Sequence, residues 1–194
     1  MGAILDINVI SKKYINPSYI KYLLESEFKL SIKIQEIEII DNWEFSNSKK
    51  ILNIEDVEDY ILNNKIANII SVINGKYSSG IQIEKIKNIY SFSFWVDTEY
   101  IPCLDSDTIN NKNKFFYNLI KEKIVELKNT YEISIASIGL ETIFKYDENI
   151  KKIIKESTNI SMFLFLDYDL LKKVDKNILT DYTQKGAMFI KKEK

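Results

Sequence analysis

Ile66-Ala67-Asn68-Ile69-Ile70-Ser71-Val72-Ile73-Asn74-Gly75 is the stretch on which the fold turns. Ile66, Ile69, Ile70 and Ile73 have helical spacing, so an amphipathic helix is one solution. Against it stands the β-branched content, which loses side-chain freedom in a helix and packs well on a pleated surface. The Asn74-Gly75 pair also opposes it, because both residues tolerate the positive φ that a two-residue hairpin turn requires. A strand over 66–73 entering a hairpin follows. Segments 81–89 and 90–97 continue it as an antiparallel meander. In the last of these Tyr90, Phe92, Phe94 and Val96 alternate with Ser91, Ser93, Trp95 and Asp97, one face apolar and the other nominally polar.

Working toward the N-terminus, Asn53 followed by Glu55, Asp56, Glu58 and Asp59 reads as a helix cap and an acidic first turn, with Val57, Tyr60 and Ile61 facing inward. Residues 30–40 form a strand whose apolar phase slips from Ile32/Ile34 to Ile37/Ile39, which places a β-bulge near Gln35-Glu36. Asn16-Pro17 opens a helix carrying Ile20, Leu23, Leu24 and Phe28. Leu5, Ile7 and Val9 alternate with Asp6 and Asn8 in an opening strand. Toward the C-terminus, Phe116, Leu119, Ile120, Ile124 and Leu127 define a long amphipathic helix. A strand at 131–138, a helix over 148–157, a strand at 160–166, a short helix near 169–177 and a strand around 187–191 complete the order. Consecutive strands followed by alternating helix and strand predict a single α+β domain over 1–194, an antiparallel β-meander with amphipathic helices packed on it. No linker or fixed-period repeat divides the chain.

Composition narrows the chemistry. At 194 residues and 45% hydrophobic content, the chain can bury a core without a metal or disulfide staple. No apolar run is long enough to cross a bilayer. The N-terminus, Met1 to Asp6, has neither a basic region nor a cleavage-site pattern, and position 6 lacks the hydroxyl of a myristoylation signal, so a cytoplasmic location is expected. Histidine and arginine are both absent, all 27 basic residues being lysine. That removes His-based acid–base and nucleophile-activating pairs, and bidentate guanidinium recognition with them. Cys103 is the single cysteine, and its acidic neighbours disfavour the thiolate that a nucleophile needs.

Short motifs add little. Ser18-Tyr19-Ile20-Lys21 and Ser46-Asn47-Ser48-Lys49 match the Ser-x-x-Lys of penicillin-binding enzymes without the companion Lys-Thr-Gly. Gly75-Lys76 lacks the glycine-rich loop of a phosphate-binding site. Asp167-Tyr168-Asp169 ends an apolar strand and resembles the Asp-x-Asp of haloacid-dehalogenase-type phosphatases, which implies a Mg²⁺-dependent carboxylate enzyme centred on Asp167 and Asp169, with Asp97 and Glu141 as supporting acids. Only 25 residues follow Asp169, and either aspartate can instead cap a helix beginning at Leu170. Lys191, Lys192 and Lys194 are the sole hint of nucleic-acid binding, which the net charge of −1 opposes.

Two acidic stretches remain. Residues 25–59 carry ten carboxylates against four lysines, and residues 97–107 carry Asp97, Glu99, Asp105 and Asp107 with no lysine. Trp95 sits on the nominally polar side of its strand, and Trp43 lies in Asp41-Asn42-Trp43-Glu44. Aromatics among carboxylates suit an interface in which the ring anchors and the charges steer a basic partner. In these respects the chain resembles the small cytosolic immunity proteins of bacterial polymorphic and contact-dependent toxin systems. The resemblance lies in the single α+β domain, the acidic-aromatic region Tyr90–Asp107, the AT-rich-type composition and the lack of catalytic apparatus. It implies an inhibitor without cofactor or metal, bound one-to-one to a cognate toxin such as a nuclease with a basic cleft. Trp95, Asp97, Glu99, Asp105 and Asp107 are the expected contacts, with Trp43 and Glu44 as a second patch. Neither nucleic acid nor membrane is expected as a partner, and the oligomeric state is open.

Overall fold

The computed structural model describes residues 3–100, 109–140, 152, 163–171, 181–182 and 187–191. Among the described residues ten strands form one sheet in which every pairing is antiparallel. They are β1 (Ile4–Ser11), β2 (Ile32–Ile40), β3 (Lys49–Ile51), β4 (Ile66–Ile73), β5 (Tyr77–Ile86), β6 (Ile89–Asp97), β7 (Ile133–Leu140), β8 (Phe163–Asp167), β9 (Asp181–Tyr182) and β10 (Ala187–Lys191). Their spatial order is β3-β2-β4-β5-β6-β1-β7-β8-β10-β9. Among the described residues the helices with both ends defined are α1 (Pro17–Phe28), α2 (Val57–Leu62), α3 (Lys114–Tyr131) and α4 (Tyr168–Leu171). The chain is an α+β protein. Among the described residues no helix is long and apolar enough to cross a membrane.

The hairpin at Asn74-Gly75 is the turn its dipeptide demands. Asn74 has φ 51° and Gly75 φ 69°, and Lys76 N–H donates to the Ile73 carbonyl at 3.1 Å. The stretch 66–73 is therefore β4 from end to end. Its successors run slightly differently from the expected ranges. The strand expected over 81–89 begins at Tyr77 and ends at Ile86, and β6 starts at Ile89, because the chain turns at Lys87 (φ 56°). The β2 bulge lies where the phase slips, between Ile34 and Glu36. Asn16 caps α1, its side-chain carbonyl accepting the Ser18 N–H at 2.8 Å. Asn53 makes no such cap. A 3₁₀ turn, Ile54–Asp56, leads into α2, which buries Val57 and Ile61 but leaves Tyr60 half-buried.

One face of the sheet carries the core. Leu5, Ile7, Ile37, Ile39, Ala67, Ile69, Ile81, Ile83, Phe92, Phe94 and Val96 line it and pack with α3 through Phe116, Tyr117, Ile120 and Ile124. Leu119, expected in that buried stripe, is half-buried, and Tyr117 takes the inner position. The strand expected over 131–138 starts at Ile133, because Tyr131 ends α3 and Glu132 reverses the chain with φ 53°. The opposite, outer face is of two kinds. Over β1, β7 and β8 it is buried, and Asn8, on the nominally polar phase of β1, is 1% exposed alongside Ile10, Ile135, Ser137, Leu164 and Leu166. Over β2, β4, β5 and β6 most outer residues are half-buried, while Ile40, Ile66 and Gly80 are buried. Of the helix expected over 148–157 only Lys152 is described, and most of the short helix expected near 169–177 lies outside the described residues beyond Leu171.

Candidate protein-binding surface

Strand register fixes what this open half of the outer face presents. Trp95 on β6 lies between Asp6 of β1 and Gly80 of β5. Its indole lies across Gly80: a Cβ built there would come within 2.6 Å of the ring and 2.7 Å of the Ile69 carbonyl oxygen. The glycine is needed because the aromatic ring uses the volume a side chain would take. Trp95 is half-buried, and its ring N–H has no acceptor among the described residues. A half-buried indole laid over a neighbouring strand, with its Nε1 edge against Gly80, is an arrangement suited to anchoring another protein.

Trp43 approaches the same face from the other end. Asp41 starts a turn in which its Oδ1 pairs with Lys65 Nζ at 2.8 Å and its Oδ2 accepts from Asn47 at 3.1 Å. Both contacts hold the Asp41 carboxyl below its ordinary range, the lysine foremost. Phe45 and Asn47 take positive φ to close the turn. The closure carries Trp43 onto β5, where its Nε1 donates to Glu84 Oε2 at 3.0 Å. Burial pushes the half-buried Glu84 carboxyl above the usual glutamate range, and the Trp43 N–H only partly offsets this. Trp43 itself remains 47% exposed. Glu84 pairs with Ser91, four residues from Trp95, so the two contact points lie roughly 13 Å apart along the strands. Between them run Ser93, Gln82, Asn68 and Glu38, a polar row crossing four strands.

The remaining expected contacts divide. Asp97 ends β6 opposite Ile4, and its Oδ1 accepts the Glu99 N–H at 2.9 Å, turning the chain into the 3₁₀ segment Thr98–Tyr100. Thr98 ties that turn to β1 through its Oγ1 donating to the Ala3 carbonyl at 2.9 Å. Glu99 is exposed. Glu44 is exposed beside Trp43, its N–H donating to Asn42 Oδ1 at 3.0 Å. Asp105 and Asp107, with Cys103, lie outside the described residues. The structure thus brings Trp43, Trp95 and Asp97 onto one sheet face, although 52 positions separate the tryptophans in sequence. Reading one strand at a time did not find Asp6, Glu36, Glu38 and Glu84, which share that face with Lys33 and Lys50. Lys50 is committed to Glu36 at 2.8 Å.

The Asp167–Asp169 pair sits elsewhere. Asp167 Oδ1 pairs with Lys128 Nζ at 3.1 Å and accepts the Tyr168 N–H at 2.6 Å, so one carboxylate is held at the start of α4 while Asp169 points to solvent. Glu141 lies outside the described residues, and among those described no three His, Cys, Asp or Glu side chains gather to hold a metal ion. No family model, curated protein or solved structure matches this chain.

Proposed function

We propose that this chain is a protein-binding inhibitor of the immunity type, which neutralises a bacterial toxin in the cytoplasm by one-to-one binding. The open outer face of β2, β4, β5 and β6 is its binding surface. One observation carries this: a sheet with helices over one face leaves the other half-open, with Trp95 laid across Gly80 beside Asp6 and near Asp97. A strand-paired face of this kind suits an aromatic anchor with charge at its border. Its carboxylates outnumber its lysines, which favours a basic partner such as the cleft of a nuclease. Asp105 and Asp107, close to Glu99 in sequence, would extend the same charge.

The experiment is co-expression of the chain with the product of the adjacent reading frame. A stoichiometric complex, together with rescue of growth from a toxic neighbour, is the expected result. Loss of rescue in a folded Trp95→Ala variant would place the contact on this face. A neighbour that is neither toxic nor bound would sink the proposal.

A further inference from the structure

We infer that the free edge of β2, beside the turn that follows β3, is a second binding site, which takes a short extended segment bearing lysine or arginine by adding it to the sheet. β2 pairs with β4 along its whole length, but β3 covers only Ile37–Ile39 on the other side. Toward the start of β2 the edge is blocked at Ile32, whose N–H donates to Glu25 Oε1 of α1 at 3.0 Å. Between these limits, at Ile34 to Glu36, no strand pairs with the edge among the described residues. The bulge leaves Gln35 out of the pairing with β4.

A cleft of about 480 Å³ opens there, lined by residues 34–37 of β2 and 51–56 of the β3 end and its turn. Its apolar floor is Ile34, Ile51 and Ile54, all half-buried, and Leu52 stands 96% exposed at its rim. Short edge strands and bulges commonly serve to prevent unwanted strand pairing. That role does not account for a leucine left in solvent above an apolar cleft.

The lining carries Glu55, Asp56 and Glu36, the last paired with Lys50 of β3 at 2.8 Å, and no lysine. Glu55 is fixed by hydrogen bonds from Ser18 Oγ and Asn16 Nδ2 of the α1 start, and Asp56 accepts from Asn53 Nδ2 at 3.4 Å. Glu58 and Asp59 lie exposed just beyond. An edge that offers backbone groups, apolar pockets for alternate side chains and a rim of one sign recognises an extended peptide of opposite charge. A second copy of this chain is disfavoured as occupant, since edge-to-edge pairing would bring the same carboxylates together. This site meets the tryptophan face only at Glu36, and its peptide-binding groups do not include either tryptophan.

The test uses an eight-residue peptide of alternating valine and lysine, blocked at both ends, titrated into the isotope-labelled full chain. Amide shifts at Ile34–Glu36 and 51–56, with slowed hydrogen exchange at Ile34 or Gln35, are expected. Placing a proline at the peptide's centre, at unchanged charge, should weaken binding about tenfold through lost backbone hydrogen bonds. The double change Glu55→Lys, Asp56→Lys should weaken it about fivefold, and Trp95→Ala should leave it unchanged. No binding, equal binding of the proline peptide, or shifts centred on the Trp95 face would each overturn the inference.

Discussion

Gly80 has no room for a side chain, because the Trp95 ring occupies the space where one would project. Gly80→Ala must either push the indole off the sheet or strain β5, at a cost of about 1–3 kcal/mol. Chemical denaturation with Trp95 fluorescence checks both effects, and an unchanged midpoint and spectrum would show that the ring does not rest there. Glu84 offers a pH test. Burial raises its folded pKa, so the folded chain holds the proton more tightly than the unfolded chain. Stability is therefore lost as pH rises from the unfolded value, about 4.3, through the folded one. Glu84→Gln retains an acceptor for Trp43 and removes the charge. Its melting midpoint should exceed the parent's at pH 7 and merge with it below about pH 4. A lower midpoint at pH 7 would mean that the charged Trp43–Glu84 bond outweighs the burial cost. Neither residue was legible in the sequence. Gly80 is one of five glycines and Glu84 one of 28 acids, and each acquires meaning only from a partner on another segment.

At the scale of elements, the chain was readable where local and tertiary preferences agree. The Asn-Gly turn settled β4 against the helical spacing of its isoleucines, and the alternation from Tyr90 to Val96 assigned both faces of β6. It was less readable where tertiary pairing decides. Lys49–Ile51 became a strand only because β2 lies beside it, and Asn8 is buried on the part of the outer face where Ile10, Ile135, Ser137, Leu164 and Leu166 are buried too. α3 shows how small such a difference can be. Its period was right, yet the stripe is rotated so that Tyr117 is buried and Leu119 half-buried. Ile124→Ala should then cost about 2–5 kcal/mol, toward the upper end, because Ile124 already borders a cavity of about 120 Å³ between α1, α3 and the sheet that a further deletion would enlarge. Leu119→Ala should cost less than Ile124→Ala. Urea denaturation of the two variants checks the order, and the reverse order would restore the rotation read from the sequence.

On the scale of the whole molecule, β1 joins the two halves of the chain. It pairs with β6 on one side and β7 on the other, so Leu5 faces Val96 and Leu140 at once. The face that β1 shares with β6 is thereby paired on both sides before any partner arrives, and binding there should cost little reorganisation. An interface built in this way separates its two contributions kinetically. With the half-buried Trp95 as the proposed anchor, Trp95→Ala should accelerate dissociation and weaken binding by about 2 kcal/mol or more, with association little changed. The carboxylates act at a distance, before contact. Glu38→Lys and Glu99→Lys should slow association of a basic partner, and the effect should shrink as salt rises and the Debye length contracts from about 10 Å at 0.1 M. Both lysines fall on half-buried or exposed positions, so circular dichroism should find these variants folded. The measurement is association and dissociation rates against the co-purified partner at two ionic strengths. Association that is unaffected by either lysine would remove the steering role of the acids. A Trp95→Ala chain that is folded and binds as tightly as the parent would remove the anchor, and with it the assignment of this face.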